Sequence, residues 1–333
     1  MKFLVIGLGS MGKRRIRNLK CLKEQDIIGF DSREDRRLEA EKLYGIKIFD
    51  NIEDAFKDNP NAIIVSTPPS SHKEYIVNAI NHHKPVFTEL NIIDEDLHDL
   101  GKKAEEKNVL VVPSTTPRHY FAIKKIKELI SDGKIGNLIT IQYHVGQYLP
   151  DWHPWEHYTD FFVSNKKTHA CREIMAFELN WLTWIFGRIV SAYSAASKRS
   201  DLNIEINDYY HVLLKFENGV ICNLLVDIVS RFPERRLTII GDKGTIIWDK
   251  SFDALKIYYA GLKSWNEIME EKSNNKKEYV SKEKPYIEEI EDFIDLINLR
   301  KHPTYSIQDE LIIVKVLDAI EESVKKESVV LTK

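Results

Sequence analysis

The sequence is poor in cysteine, in excess charge and in long apolar runs, and each shortage excludes a class of protein. Three cysteines among 333 residues, with no paired spacing, argue against a disulfide framework and favour a reducing compartment. No apolar run approaches the ~18 residues that a membrane helix needs. A net charge of −3 gives no reason to expect nucleic acid or an anionic membrane as a partner. We therefore predict a cytoplasmic protein that binds neither nucleic acid nor membrane.

Length and composition favour a globular α/β protein with two domains. A chain of 333 residues is long enough to bury two cores, and its hydrophobic and charged fractions, 43% and 30%, are ordinary for globular proteins. Strand-like and helical patterns alternate up to Arg118, and the pattern changes after it. We therefore predict one domain over residues 1–118 and a second over 119–333.

The first residues are typical of a dinucleotide-binding fold. Phe3–Ile6 is a short apolar run, and Met11–Leu22 is a basic amphipathic segment with helical periodicity. Between them stands Gly-x-Gly-x-x-Gly, in which the glycines allow a tight bend, close approach of a pyrophosphate, and packing of helix on strand. The phosphates would lie over the helix N-terminus. The predicted cofactor-binding residues of this turn are Gly7, Leu8, Gly9, Ser10, Met11 and Gly12.

Asp31 follows the second apolar run, nineteen residues past the last glycine. A carboxylate there is placed to accept hydrogen bonds from an adenosine ribose. The alternative is that the glycines are ordinary turn residues and Asp31 caps the next helix. Asp31 favours NAD because it would repel a 2′-phosphate. Ser32, Arg33 and Arg36 follow, however, and a nearby arginine accommodates that phosphate, so NADP stays open.

The remaining strand-like runs of the first domain extend this pattern into a parallel sheet. Helical segments separate these runs, as in a doubly wound sheet with helices on both faces. Ligands of such sheets bind beyond the carboxyl ends of the strands. The alternative for the turn after the fourth strand is that it only caps the next helix, which is compatible with a cofactor contact. The predicted strands are Phe3–Ile6, Ile27–Phe30, Ile46–Phe49, Ala62–Val65, Val86–Thr88 and Val109–Val112, and the predicted cofactor contacts at their ends are Ser66, Thr67, Pro68, His72 and Glu89.

The second domain has a different pattern, with many alternating runs and few helices. Such a pattern favours a large, mostly antiparallel open sheet, one face of which is able to meet a second copy. The charged stretch Ser264–Lys284 is interpreted as a surface excursion. Predicted helices are Tyr120–Asp132, Glu173–Phe186, Tyr286–Asn298 and Ile307–Ser323, and predicted strands are Leu138–Val145, Ile189–Ala195, Tyr209–Phe216, Val220–Val226, Leu237–Ile240 and Thr245–Trp248.

Six motifs in this order resemble the Gfo/Idh/MocA oxidoreductases, the relatives of glucose–fructose oxidoreductase and inositol dehydrogenase. The resemblance covers nearly the whole chain. It implies a Rossmann domain followed by an α/β domain, assembly as a homodimer or homotetramer through the C-terminal sheet, and hydride transfer between NAD(P) and a hydroxyl or ketone of a sugar, sugar nucleotide or cyclitol. The motifs are Gly7–Gly12, Ala62–Pro68 with His72, Pro85–Glu89, Glu178–Gly187, Arg236–Thr245 and Ile287–Ile294.

Departures from the family pattern fall on the residues that handle the proton. Most members carry Glu-Lys-Pro after the fifth strand, and Leu90 stands at the position of that lysine. Most members also carry an aspartate and, four residues on, a histidine, whose positions are held here by Glu173 and Phe177. The family's Asn-x-Arg-Phe is matched by Thr116–His119. The cofactor half of the pattern is therefore present, and the usual catalytic pair is not.

Oxidation of an alcohol requires a base for the hydroxyl proton. Glu173 is the first candidate, since burial at the start of an apolar helix would raise its pKa; the alternative is a glutamate that complements the helix dipole. His169 is the second candidate because histidine titrates near neutrality, unless it is a solvated loop residue. Arg118 and Arg172 are predicted to grip the substrate, although Arg172 also reads as a surface helix residue.

Aromatic and hydrogen-bonding residues are dense between Tyr148 and Tyr158. Such a mixture suits a sugar, because rings cover its C–H surface and polar groups bind its hydroxyls; the alternative is a packed loop. We predict substrate contacts from Trp152, His153 and Trp155. No third ligand accompanies the histidines of this segment, so no metal site is predicted.

Two other functions stay open at this stage. The first is an enzyme that uses bound NAD transiently to cleave a glycosidic bond with no net redox change. The second is a non-catalytic dinucleotide-binding subunit or sensor, which Leu90 and Phe177 make plausible.

Overall fold

The computed structural model describes residues 1–94, 96–153, 156–250, 254–270, 278–299 and 303–332. The chain divides into two compact units. The first contains Met1–His119 and Asn275–Ile312, and the second contains Tyr120–Asn274 and Ile313–Lys333. The change of unit after His119 is adjacent to the boundary that the sequence predicts, and the grouping of 275–312 with the first unit has no counterpart in that prediction.

The sheet of the first unit has six parallel strands within the described residues, in the order β3-β2-β1-β4-β5-β6. Every crossover runs through helical structure, as parallel neighbours require. The strands are β1 (Phe3–Ile6), β2 (Ile27–Phe30), β3 (Lys47–Phe49), β4 (Ala62–Val65), β5 (Val86–Thr88) and β6 (Val111–Pro113), and the helices are α1 (Ser10–Cys21), α2 (Glu34–Tyr44), α3 (Ile52–Lys57), α4 (His72–Asn81) and α5 (Leu97–Glu106). The predicted doubly wound parallel sheet is confirmed.

The core of the first unit forms around β1, whose four side chains are fully buried. Continuous apolar runs of this kind are expected for parallel strands covered on both faces. Helix α8 (Glu278–Ile297) contributes Ile290 and Phe293 to the same cluster. The ring of Phe293 lies 5.8 Å from that of Phe87 on β5. Helix α8 is therefore part of the core of the first unit, although it comes late in the chain.

The second unit is built on nine strands within the described residues, in the order β14-β13-β12-β11-β7-β10-β9-β8-β15. Neighbours are antiparallel except β7 and β10, which are parallel, so the predicted mostly antiparallel sheet is confirmed. The strands are β7 (Leu138–Gly146), β8 (Ile189–Ser197), β9 (Tyr209–Phe216), β10 (Ile221–Asp227), β11 (Glu234–Gly241), β12 (Gly244–Asp249), β13 (Ala254–Tyr259), β14 (Ser264–Ile268) and β15 (Val330–Leu331), and the helices are α6 (Phe121–Ser131) and α7 (Ala170–Phe186). Helix α9 (Ile307–Lys326) precedes β15.

The interpretation of Ser264–Lys284 as a surface excursion is wrong for its first residues. Ser264–Ile268 forms strand β14, in which Trp265 pairs with Tyr258 of β13 and their rings lie 5.3 Å apart. Its middle positions are exposed, which removes the alternation that marks a half-buried strand. The end of the stretch, from Glu278, is helical, and residues 271–277 lie outside the described residues.

Candidate functional site

The glycine turn has the close packing that its motif requires. Gly7 has φ +88°, and a Cβ on it would lie 2.6 Å from the carbonyl oxygen of Ser66. A Cβ on Gly12 would lie 1.7 Å from the carbonyl oxygen of Gly7. Neither position has room for a side chain. Helix α1 begins directly after Gly9, so its first N–H groups point toward the turn, where a pyrophosphate would bind.

Asp31 faces this turn from the end of β2. Its Oδ2 accepts the N–H of Leu8 at 2.7 Å, and its Oδ1 accepts the N–H of Arg33 at 2.9 Å. Asp31 is 5% exposed, and the two bonds orient its carboxylate. Each carboxylate oxygen has a further lone pair, which is what a ribose diol needs. The turn and the carboxylate therefore fit an adenine dinucleotide.

Three further residues lie next to Asp31. The guanidinium of Arg36 lies 4.0 Å from Oδ2 of Asp31 and within 3.3 Å of the position of a Cβ on Gly9. Arg33 instead forms a two-bond pair with exposed Asp35, which holds the pKa of Asp35 below its usual value. Ser32 is exposed. Arg36 is thus the arginine that lies over the glycine turn.

The turn after β4 is fixed from both of its ends. The N–H of Ser66 donates to the carbonyl of Ile6 at 2.8 Å, which ties it to the strand before the glycine turn. The carbonyl oxygen of Thr67 lies 2.8 Å from Nε2 of buried His72. Pro68 precedes a short 3₁₀ turn, Pro69–Ser71, that leads into α4. The predicted cofactor contacts of this turn are therefore brought beside the glycine turn.

Glu89 lies in a buried ion cluster. Arg15, which is fully buried in α1, donates to Glu89 through Nε at 2.7 Å and Nη2 at 2.9 Å. Its Nη1 donates to Glu289 of α8 at 2.8 Å. Burial alone would lower the pKa of Arg15, but the two carboxylates outweigh it and raise that pKa above its usual value. Ser66 Oγ also donates to Glu89, at 3.2 Å, so Glu89 joins α1 to the turn after β4.

A second buried chain of hydrogen bonds continues from His72. Its Nδ1 lies 2.8 Å from Oδ1 of Asn91. The backbone N–H of Asn91 donates to Oε1 of Glu310 at 2.9 Å, and its side-chain amide donates to Oε2. Glu310 is fully buried, and burial raises its pKa to about 8 despite the two bonds from Asn91. Neither Asn91 nor Glu310 is among the site residues predicted from the sequence.

Two residues of the first unit that the sequence connects with the reaction, Leu90 and Arg118, are buried. Leu90, at the position of the family's lysine, is 4% exposed and has no group that exchanges a proton. Arg118 is 7% exposed, with its Cζ 4.5 Å from the centroid of the Tyr305 ring. Burial lowers the pKa of Arg118 to about 10. Its contact with a substrate stays a prediction.

His169 and Arg172 belong to an ion cluster inside the second unit. His169 caps α7, with its Nδ1 accepting the N–H of Arg172 at 3.2 Å, and its Nε2 lies 3.1 Å from Glu321. Arg172 donates to Asp318 at 2.7 Å and to Glu321 at 2.6 Å. Both ring nitrogens of His169 and two nitrogens of Arg172 have partners inside the second unit. The roles of His169 as proton acceptor and of Arg172 as substrate contact stay predictions.

Glu173 lies in the first turn of α7 and is half-buried. Phe177, one turn later, is half-buried on the same side of the helix. The role of Glu173 as the proton acceptor stays a prediction.

The aromatic segment is described only in part. Trp152 and His153 are half-buried, and the ring of His153 lies 4.5 Å from that of Phe161. Trp155 lies outside the described residues. Within the described part of the chain, no three histidine, cysteine or acidic side chains are grouped as metal ligands.

Comparison with known proteins identifies the family. Residues 1–115 match the family described as "Oxidoreductase family, NAD-binding Rossmann fold", and residues 123–247 match its "GFO/IDH/MocA C-terminal domain". The chain belongs to the Gfo/Idh/MocA oxidoreductase family. Family membership confirms the predicted resemblance, the Rossmann fold, the oxidoreductase assignment and NAD as cofactor. The roles of individual residues stay predictions.

Relatives extend over different shares of the chain. Glucose-6-phosphate 3-dehydrogenase of Bacillus subtilis (strain 168) is 21% identical over 239 residues, which are 69% of this chain and 68% of the relative. The structure of levoglucosan dehydrogenase with NADH and levoglucosan has a TM-score of 0.86 and 17% identity, and covers 100% of this chain and 99% of that one. An oxidoreductase from Agrobacterium radiobacter, in complex with NAD⁺, L-tartaric acid and magnesium, has a TM-score of 0.87, 17% identity, and coverage of 100% and 98%. These structures show the same fold.

None of the helices in the described part of the chain combines the length and the apolar character that a bilayer crossing requires.

Proposed function

We propose that the protein is an NAD(P)-dependent dehydrogenase or reductase that acts on a hydroxyl or ketone of a sugar, sugar nucleotide or cyclitol. The observation that carries the proposal is the glycine turn with Asp31 bonded to it through the N–H of Leu8. Two similar proteins named for their reactions, on glucose 6-phosphate and on levoglucosan, support the substrate class. Family membership supports the redox chemistry.

The residues of the first unit would hold the cofactor by their backbone and by one carboxylate. The N–H groups at the start of α1 bind phosphate oxygens, and Asp31 accepts the hydroxyls of the adenosine ribose. Ser66, Thr67 and Pro68 shape the adjacent wall, which His72 and Glu89 hold in place. When bound, the nicotinamide supplies hydride transfer to or from carbon.

Titration with NADH and with NADPH, followed by nicotinamide fluorescence, tests the cofactor site. We expect saturable binding, weakened about tenfold or more by Asp31→Asn, because loss of one charged hydrogen-bond acceptor costs about 1.5 to 3 kcal/mol. Asp35→Asn is the matched control, since Asp35 is exposed and pairs with Arg33. A wild-type protein that binds neither dinucleotide would refute the proposal.

We propose that Arg36 determines the preference between NAD and NADP. Its guanidinium lies over the glycine turn, whereas that of Arg33 pairs with Asp35. We expect Arg36→Ala to weaken NADPH about tenfold more than NADH, and Arg33→Ala to change the ratio little. Equal losses for both dinucleotides in the Arg36 variant would contradict this role.

A non-catalytic dinucleotide-binding subunit is the second candidate, and the replacement of the family's lysine and histidine by Leu90 and Phe177 favours it. It predicts dinucleotide binding without turnover on any polyol, sugar or sugar nucleotide. The NAD-dependent cleavage of a glycosidic bond predicts product with no net change in nicotinamide absorbance. A substrate panel read by both absorbance and chromatography separates the three functions.

We also propose that the protein forms a homodimer or homotetramer through the open face of the C-terminal sheet. Large apolar side chains project from this face and are 41% to 49% exposed in Tyr193, Leu213, Ile221 and Trp265. The register of the pairs from β8 across the sheet to β14 places them on one side of the sheet. Sedimentation velocity should show an oligomer that Leu213→Lys dissociates. Leu262→Lys, in the turn before β14, is the control, and a monomeric wild type would refute the assembly.

The cytoplasm is proposed as the location. All three cysteines are free thiols, and Cys171 and Cys222 are buried. Burial raises the pKa of Cys222 to about 12, so this thiol stays protonated. Recovery of the protein in the extracellular fraction of its own cells would contradict the location.

A further inference from the structure

A buried chain of hydrogen bonds inside the first unit ends at the proposed cofactor site. Nε2 of His72 lies 2.8 Å from the carbonyl oxygen of Thr67, and its Nδ1 lies 2.8 Å from Oδ1 of Asn91. The side-chain amide of Asn91 donates to Oε2 of Glu310, and the backbone N–H of Asn91 donates to Oε1. His72, Asn91 and Glu310 are at most 4% exposed. The chain therefore links helix α9 to the turn after β4 through the interior of the unit.

Thr67 is the member of the chain that lies against the glycine turn. A Cβ on Gly7 would lie 2.9 Å from Cγ2 of Thr67, so this side chain packs directly on the turn. The Oγ1 atom of Thr67 is buried and has no hydrogen-bond partner among the described residues. A buried hydroxyl without a partner is costly, and a bound dinucleotide that accepts from it would remove that cost. The position of Thr67 therefore matters for cofactor binding.

The chain needs one more hydrogen than its neutral groups supply. Each of its three side-chain contacts requires a hydrogen between the two heavy atoms. The carbonyl of Thr67 supplies none, a neutral imidazole at His72 supplies one, and the NH2 group of Asn91 supplies one because it faces a single neighbour. The third hydrogen is a proton on either His72 or Glu310. A proton on His72 leaves the amide of Asn91 as it stands, and a proton on Glu310 requires that amide to be turned over.

Burial keeps this proton in the chain. It raises the pKa of Glu310 to about 8 and outweighs the two bonds from Asn91. The chain therefore holds its proton at neutral pH and loses it as the pH rises through about 8. Charged groups on the surrounding elements are exposed or have other partners; they are Lys73 and Glu74 of α4, Glu89 and Asp94 after β5, His98 and Asp99 of α5, Arg118, and Asp309 of α9.

We propose that Asn91 and Glu310 are positioning residues for the cofactor, which hold Thr67 through His72 as long as the chain keeps its extra proton. The inference rests on the proposed dinucleotide site. When the proton leaves, two acceptors face each other at one of the three contacts, and the link between α9 and Thr67 is broken there. The affinity for the dinucleotide therefore falls when the chain loses its proton.

Titration with NADH at a series of pH values, followed by nicotinamide fluorescence, tests the proposal. The apparent Kd of the wild type should rise about tenfold between about pH 7 and about pH 9, because the protonated fraction of a group with a pKa of about 8 falls about tenfold over that range. Glu310→Gln should keep the low-pH affinity throughout, because its amide supplies the third hydrogen at every pH. Glu106→Gln, an exposed glutamate on α5, is the control and should follow the wild type.

A second variant removes the centre of the chain. Asn91→Leu has no amide to join His72 to Glu310, so it should bind NADH about tenfold more weakly than the wild type at pH 7 and show little change up to pH 9. A wild type that binds neither NADH nor NADPH contradicts the proposed function and this inference with it. A wild type that binds NADH equally well at pH 7 and pH 9, or a Glu310→Gln variant that keeps the pH dependence, contradicts this inference alone.

Discussion

Glu310 is expected to make the stability of the protein depend on pH. It is fully buried in the first unit and accepts two hydrogen bonds from Asn91. Its pKa is raised from 4.5 to about 8 in the folded protein, because burial outweighs those bonds. The native state therefore holds a proton here that the unfolded chain releases above about pH 4.5. This contribution to stability is complete below that pH and is lost as the pH rises through about 8.

The size of the effect follows from linkage. Between the two pKa values, one bound proton changes the free energy of unfolding by about 1.4 kcal/mol per pH unit. From about pH 6 to about pH 8, the wild type should lose roughly 2 kcal/mol through Glu310 alone. The variant Glu310→Gln has no proton to release there and keeps an amide beside Asn91. It should therefore lack this part of the pH dependence.

Thermal unfolding at a series of pH values measures the difference. We expect the midpoint of the wild type, relative to that of Glu310→Gln, to fall by roughly 3 °C between about pH 6 and about pH 8. Glu106→Gln, an exposed glutamate on α5, is the control and should follow the wild type. Parallel curves for the wild type and Glu310→Gln over this range would refute the argument, since they would mean that Glu310 is already ionised in the folded state.

Two substitutions test the packing of the glycine turn and its supporting helix. Gly12→Ala should abolish NADH binding measured by fluorescence, because its Cβ would lie 1.7 Å from the carbonyl oxygen of Gly7, and Gly261→Ala, where nothing lies within 4 Å of the new Cβ, should bind normally. Arg15→Met should lower the free energy of unfolding by about 3 to 5 kcal/mol in denaturant titrations, since it leaves two carboxylates without their buried cation. A loss below about 1 kcal/mol would contradict a structural role for that arginine.

The strands of the first unit could be predicted closely, and the reason is physical. The predicted bounds of Phe3–Ile6, Ile27–Phe30 and Ala62–Val65 coincide with β1, β2 and β4. Buried parallel strands are continuous apolar runs, which stand out against their polar flanks. Strand β14 was missed because its three middle positions are all exposed, so buried and exposed residues do not alternate along it. Sequence periodicity reports burial on one face, and an edge strand has little of it.

The cofactor turn could be predicted because all of its parts are close in sequence. The partners of Asn91 and Arg15 could not, because the bond from Asn91 to Glu310 spans 219 residues and that from Arg15 to Glu289 spans 274. One local signal was available. The buried positions of α1 are spaced by three and four residues, and Arg15 is the charged residue among them. A buried cation on the apolar side of a helix is costly unless it is paired, so Arg15 predicts a buried carboxylate as its partner. The sequence does not say where in the chain that carboxylate is.

The inclusion of Asn275–Ile312 in the first unit has a consequence for synthesis on the ribosome. Glu289 and Glu310 both come from this segment, and so do Ile290 and Phe293 of the core. A nascent chain that ends at His119 already has all six parallel strands, but Arg15 would be without one of its counter-ions and the core without two of its side chains. The amino-terminal unit therefore completes its fold only after the segment has emerged, and a fragment released earlier should be a target for chaperones and proteases.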